Sequence, residues 1–147
     1  MKNSILLITG AVISLLFLLL NTKIFEALYY ERAFSDAMYN QNLYFVVAIV
    51  TLAIAWVLAA MFYYVINSVR FSRWYHWLLV QAAACVVTPV TSFVLCNNSL
   101  TAEGYDFAGQ LGSFCVIDLA VEAVLFTVAS FAMRWWSSNC RHTPIPE

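Results

Sequence analysis

The sequence predicts an all-α integral membrane protein, a single domain whose four transmembrane helices pack as an antiparallel bundle. Hydrophobic residues make up 63% of its 147 residues and charged residues only 10%, too few charges to cover that much apolar surface in water. The apolar residues fall into four long runs, each near the ~20 residues that cross a hydrocarbon core. Because unpaired backbone groups cannot face lipid, each run is predicted to be a helix.

The first run is expected to be an uncleaved anchor, because no small-x-small cleavage site follows it. The second run carries no charge, whereas the fourth contains two acids. The predicted spans, by residue number, are 5–20, 43–66, 74–95 and 111–133.

The distribution of Lys and Arg predicts the orientation. Only Lys23 and Arg32 fall in the connections on one side, and several acids accompany them there. Cytoplasmic loops carry the excess of basic residues, so both termini are predicted to be cytoplasmic, in a plasma membrane such as the bacterial inner membrane. The basic residues on the predicted cytoplasmic side are Lys2, Arg70, Arg73, Arg134 and Arg141.

The outer connection, residues 21–42, has neither Gly nor Pro and is predicted to be helical. Its apolar residues recur at three- or four-residue steps, which is helical spacing. Such a helix either offers a surface to a partner or is a solvated extension of the first span. The residues on this stripe are Ala27, Tyr30, Phe34 and Met38.

Tryptophans cluster where the spans meet the predicted cytoplasmic face. Trp and Tyr are enriched at membrane interfaces, so these side chains are predicted to be interface anchors rather than a ligand cage. They are Trp74, Trp77, Trp135 and Trp136.

Two acids lie inside the fourth predicted span. Asp118 and Glu122 are four residues apart and therefore share one helix face. Counted from Leu111 at about 1.5 Å per residue, they lie about 10 Å and 16 Å below the outer interface. A charged acid at that depth costs at least about 2.5 kcal/mol. Both acids are therefore expected to face the bundle interior.

The third span carries a polar stripe at similar depths, which predicts that it faces the acids. Pro89 has no N–H, so the carbonyl of Cys85 lacks its regular helical donor and is left as a free acceptor on this face. The stripe consists of Gln81, Cys85, Thr88 and Ser92.

Apart from His76 at the edge of the third span, none of the four spans contains Lys, Arg or His. Desolvation and mutual repulsion then favour the protonated form of at least one acid. Three uses stay open: the acids donate hydrogen bonds that hold the helices together, they exchange a proton or cation during transport, or they pair with a basic residue of another membrane protein.

The cysteines permit one disulfide. Cys96 and Cys115 are both predicted near the outer face and could form a bond there if that compartment is oxidising. Cys85 is predicted to be a buried apolar residue and Cys140 a reduced thiol.

Enzyme motifs are missing: there is no C-x-x-C, H-E-x-x-H or G-x-S-x-G. No enzyme activity, metal, cofactor or nucleic-acid partner is expected. The expected role is that of a subunit, accessory or immunity-type partner of a larger membrane assembly, working through a membrane-protein partner or a homo-oligomer within the lipid bilayer. The alternative is a small proton- or cation-coupled transporter that uses Asp118 and Glu122.

Overall fold

The computed structural model describes residues 1–145, and these residues form helices and connections without a strand. There are six α-helices in this part of the chain. Their bounds are Lys2–Leu19 (α1), Asn21–Leu28 (α2), Arg32–Asn40 (α3), Leu43–Ala60 (α4), Trp74–Ala102 (α5) and Ala108–Met133 (α6).

Four of these helices are long and apolar enough to cross a membrane, which confirms the prediction of an all-helical protein with four candidate spans. The second span is α4 together with a π-helical continuation, Met61–Ile66. It ends at Asn67, whose left-handed backbone (φ 30°) does not continue a helix. The helix of the third span, α5, extends beyond the predicted end at Leu95 to Ala102.

α6 is the central helix of the bundle and packs against α1, α4 and α5. Its apolar stretch is 44% buried, compared with 17% to 33% for the other three spans. α4 faces α6 with small side chains that allow close approach. The buried small residues of α4 are Ala48, Thr51, Ala55 and Ala59.

α1 is the most peripheral span. Only a narrow face of it is buried, formed by Gly10, Ser14 and Phe17. Gly10 lies directly against α6, since a Cβ atom built on it would be 2.5 Å from the Cβ of Ala132. The indole of Trp56 on α4 also donates a hydrogen bond to the Ser14 hydroxyl (2.9 Å).

The outer connection forms two helices, α2 and α3, instead of one continuous helix. The chain is extended at Tyr29 and Glu31, between the two helices. This break divides the predicted apolar stripe: Phe34 and Met38 are fully buried, whereas Tyr30 is 61% exposed.

Aromatic rings join α2 and α3 to the ends of α4 and α6. The ring of Phe34 lies 5.9 Å from that of Phe114, and Phe25 lies 5.1 Å from the same ring. Tyr44 completes the cluster at 5.9 Å from Phe114. The outer connection is therefore a cap packed onto the bundle.

At the other end of the bundle, residues 137–145 fold back over the loop at 67–73, and together these two segments form what is called here the tail cap. The side chain of Asn67 organises it by accepting hydrogen bonds from the Ser137 hydroxyl (2.8 Å) and the Asn139 backbone N–H (3.0 Å). The Asn67 amide group donates to the Ser138 hydroxyl (2.8 Å). This one side chain thus makes three hydrogen bonds between the loop and the tail.

Two further contacts fasten the tail cap. The Tyr63 hydroxyl donates to the carbonyl of Thr143 (2.8 Å), and the Thr143 hydroxyl donates to the carbonyl of Ser72. Cys140, which belongs to the tail cap, is fully buried within it, and this burial raises the pKa of its thiol.

Candidate functional site: a polar node inside the bundle

Asp118 on α6 connects three helices through its two carboxyl oxygens. The Ser92 hydroxyl on α5 donates to Oδ2 (2.9 Å), and the Thr51 hydroxyl on α4 lies 2.8 Å from Oδ1. All three side chains are fully buried. In an apolar interior, such interhelical hydrogen bonds hold helices together.

The hydrogen atoms at this node can be counted. The Thr51 hydroxyl lies 2.7 Å from the carbonyl of Val47 as well as 2.8 Å from Asp118 Oδ1, yet it has only one hydrogen to donate. If Asp118 carries a proton, a complete chain forms in which Ser92 donates to Asp118, Asp118 to Thr51, and Thr51 to Val47. A neutral Asp118 therefore satisfies every group at the node, and no buried charge needs a partner.

Thr51 is the member of this node that sequence reasoning missed. A signal for it exists, because Thr51 is the one Ser or Thr residue in the charge-free second span. Counted from Leu43 at about 1.5 Å per residue, it lies about 12 Å deep, close to the depth expected for Asp118.

Glu122, one turn further along α6, has a different environment. It is fully buried, and neither of its carboxyl oxygens has a hydrogen-bond partner. The hydroxyl of Thr88 on α5 lies close to it, but no hydrogen bond of good geometry joins them and the Thr88 oxygen is also unpaired. The two acids therefore occupy one helix face but only Asp118 is satisfied.

The other two residues of the predicted stripe make their hydrogen bonds to other groups of α6 and not to the acids. The Gln81 amide donates to the carbonyl of Ala123 (3.1 Å) and to the Thr127 hydroxyl (3.2 Å). The Cys85 sulfur lies 3.8 Å from the carbonyl of Leu119. The stripe thus separates into an inner pair, Thr88 and Ser92, and a pair at the edge of the α5–α6 seam.

The cysteines are free thiols in the structure. Cys96 and Cys115 do not form the disulfide that their positions allowed. Both are buried in the core between neighbouring helices, where a cysteine packs as a small apolar side chain.

The four tryptophans predicted as interface anchors divide into two kinds. Trp74 and Trp136 are 60% and 47% exposed, and Trp135 is partly buried. Trp77 differs from the expectation because it is only 7% exposed and its indole donates to the Ser130 hydroxyl (2.9 Å). Trp77 therefore belongs to the bundle interior.

Accessibility limits what the two acids can reach. Both are 0% exposed, so a basic side chain of another protein cannot contact either one while the helices keep this packing. Within residues 1–145, no group of three or more His, Cys, Asp or Glu side chains is arranged to hold a metal ion.

No protein-family model, curated protein or solved structure matches this chain. The proposals below therefore depend on the contacts of the site itself.

Proposed function

We propose that this chain is a non-enzymatic, four-span membrane protein that serves as a subunit or accessory partner of a larger membrane assembly. Asp118 acts in contacts between the chain's own helices, and the partner is engaged through other surfaces. The observation that carries this proposal is the hydrogen-bonded node at Asp118, which joins α4, α5 and α6 inside the chain.

The proposed arrangement is an antiparallel bundle with both termini in the cytoplasm of a cell with a plasma membrane of the bacterial inner-membrane type. Its support is the excess of Lys and Arg near the termini and in the loop at 67–73. The tail cap supports it too, because the loop and the tail after α6 pack together at one end of the bundle. Those segments must then lie on the same side of the membrane.

The role of an assembly subunit agrees with how the chain uses its polar groups. The buried polar node is directed inward, while long apolar stretches of all four spans remain on the outside. The outer connection and the tail are both packed as caps, which leaves no separate extramembrane domain in the described residues. Contact with another membrane protein is the activity that such a surface supports best.

Native mass spectrometry of the tagged chain, extracted from its own membrane in a mild detergent, tests this proposal. A stoichiometric second protein is expected, and it should be retained by the Asp118→Asn variant, because an amide can reproduce the hydrogen bonds of a neutral acid at the node. Recovery of only a monomer or a homo-oligomer would contradict the role of a subunit. Loss of the partner in Asp118→Asn with an intact fold would show that the acid acts at the interface.

A proton- or cation-coupled transporter is the second candidate, and a specific observation favours it. Glu122 is buried without any hydrogen-bond partner, and unpaired acids within membrane helices commonly mark ion or proton pathways. Purified chain in liposomes should then show flux that depends on Glu122. Equal flux by the wild type and Glu122→Gln would exclude this candidate.

A further inference from the structure

Thr88 is exceptional among the buried Ser and Thr residues that the structure describes. Buried Ser and Thr side chains elsewhere in residues 1–145 each have a hydrogen-bond partner, as in Ser14 with the carbonyl of Gly10 and Ser130 with that of Phe126. Thr88 is 0% exposed and its oxygen has none. Its hydroxyl is close to the Glu122 carboxyl instead of the preceding turn of its own helix.

The oxygen atoms on this part of the α5–α6 seam are almost all hydrogen-bond acceptors. Both Glu122 carboxyl oxygens are unpaired, and the carbonyl of Cys85 has lost its regular donor because Pro89 lies four residues later in α5. The Thr88 hydroxyl can supply only one hydrogen. Such a cluster in a low-dielectric interior lacks positive charge, and an unpaired buried polar group is costly.

We propose that Glu122, Thr88 and the Cys85 carbonyl form a binding site for one exchangeable monovalent cation, either a proton or Na⁺. Asp118 is not part of this site, because its two oxygens are already used at the node with Thr51 and Ser92. The two neighbouring acids therefore have different roles. Asp118 keeps its hydrogen bonds, and Glu122 binds and releases the cation.

Groups that are only partly buried lie near Glu122 along the α5–α6 seam. Cys85 lies beside it and is only partly buried at the α5–α6 seam. One turn further along α6, the polar side chains of Gln81 and Thr127 border a cavity of about 330 Å³ at the same seam. The charged or titratable groups near Glu122 are Asp118 on its own helix and Cys85 on α5.

Infrared difference spectroscopy of the purified chain in liposomes tests the site directly, because the C=O stretch of a protonated carboxyl differs from the bands of a carboxylate. Spectra are recorded while the pH is raised in K⁺ buffer, and again while Na⁺ replaces K⁺ at constant pH. The chain is expected to show one protonated-carboxyl band that titrates. This band should be absent from Glu122→Gln and present in Asp118→Asn.

The two arms of the experiment distinguish the ligands. A band lost only as the pH rises identifies a proton site, and a band lost on addition of Na⁺ at constant pH identifies a sodium site. When Glu122 is ionised, the Thr88 hydroxyl can turn its hydrogen toward the carboxylate. The isosteric Thr88→Val removes this donor and should shift the midpoint of the titration by at least about tenfold in ligand concentration, as the loss of one hydrogen bond to a charged group predicts. Thr91→Val on the same helix should not, since Thr91 bonds only to the carbonyl of Val87.

Three results would overturn the proposal. One is a titrating band that disappears in Asp118→Asn instead of Glu122→Gln. Another is a wild-type spectrum that changes neither with pH nor with Na⁺. The third is an equal midpoint in Thr88→Val and Thr91→Val. Because the purified chain is used without any partner, these results are independent of whether the chain is an assembly subunit.

Discussion

The close contact between α1 and α6 at Gly10 predicts that Gly10→Ala destabilises the bundle. An ideal Cβ on Gly10 would lie 2.5 Å from the Cβ of Ala132, whereas two non-bonded carbons favour about 3.5–4.0 Å. Gly10→Ala therefore forces the two helices apart by about 1 Å. Overpacking of this kind costs about 1–3 kcal/mol.

Gly112 on α6 provides a matched control in the same bundle. A Cβ on Gly112 would meet nothing within 4 Å, and Gly→Ala in an open helical position stabilises by about 0.5–1 kcal/mol. The two substitutions add the same methyl group but should change stability in opposite directions. The gain in helix propensity is common to both, so the expected difference in the free energy of unfolding between them is the cost of overpacking, about 1–3 kcal/mol.

The assay is reversible unfolding in mixed micelles, followed by helical circular dichroism and by tryptophan fluorescence. Trp56 supplies a local signal, since its ring would be 3.7 Å from the new Cβ and its indole bonds to Ser14 on α1. If Gly10→Ala is as stable as Gly112→Ala, the helices do not approach each other at this position and the packing of α1 is wrong.

Two other predictions concern the caps at the two ends of the bundle. Phe34→Ala should lower the free energy of unfolding by about 3–5 kcal/mol because Phe34 is fully buried. Tyr30→Ala should change it by less than about 0.5 kcal/mol because Tyr30 is 61% exposed. If chemical denaturation gives similar losses for the two variants, the break between α2 and α3 is contradicted. Asn67→Gly keeps the left-handed backbone but removes the three hydrogen bonds that the Asn67 side chain makes to the tail. It should therefore speed alkylation of Cys140 by maleimide at least about tenfold at neutral pH in a chain whose other cysteines are replaced, since even one of these hydrogen bonds is worth about 1–1.5 kcal/mol. An unchanged rate would show that the cap does not protect this thiol, whose pKa is raised by burial.

The sequence was sufficient to predict the four spans because long apolar runs reflect the solvent around a helix. It also placed Asp118, Thr88 and Ser92 on facing surfaces, since helical periodicity sorts residues by face. Which polar groups then bond to each other depends on how helices are rotated and shifted against their neighbours. That is why Thr51, more than sixty residues before Asp118 in the chain, was missed.

The caps were harder to predict for a related reason. The stripe from Ala27 to Met38 has continuous helical spacing, yet the chain turns between α2 and α3 so that Phe34 can reach Phe114. The packing of aromatic rings across the bundle overrides the local pattern. Trp77 is a similar case, because its indole lies in the interior and donates a hydrogen bond to the Ser130 hydroxyl.

The central claim is that hydrogen bonds of Asp118 hold the helices of this chain together. A double-mutant cycle between Thr51→Val and Asp118→Ala measures one of these interactions most directly. The expected coupling in the free energy of unfolding is about 0.6–1.7 kcal/mol, the range for interhelical hydrogen bonds in membranes. The same cycle with Thr91→Val should give no coupling, because Thr91 bonds only within its own helix. Absence of coupling between Thr51 and Asp118, or equal coupling with Thr91, would contradict the account.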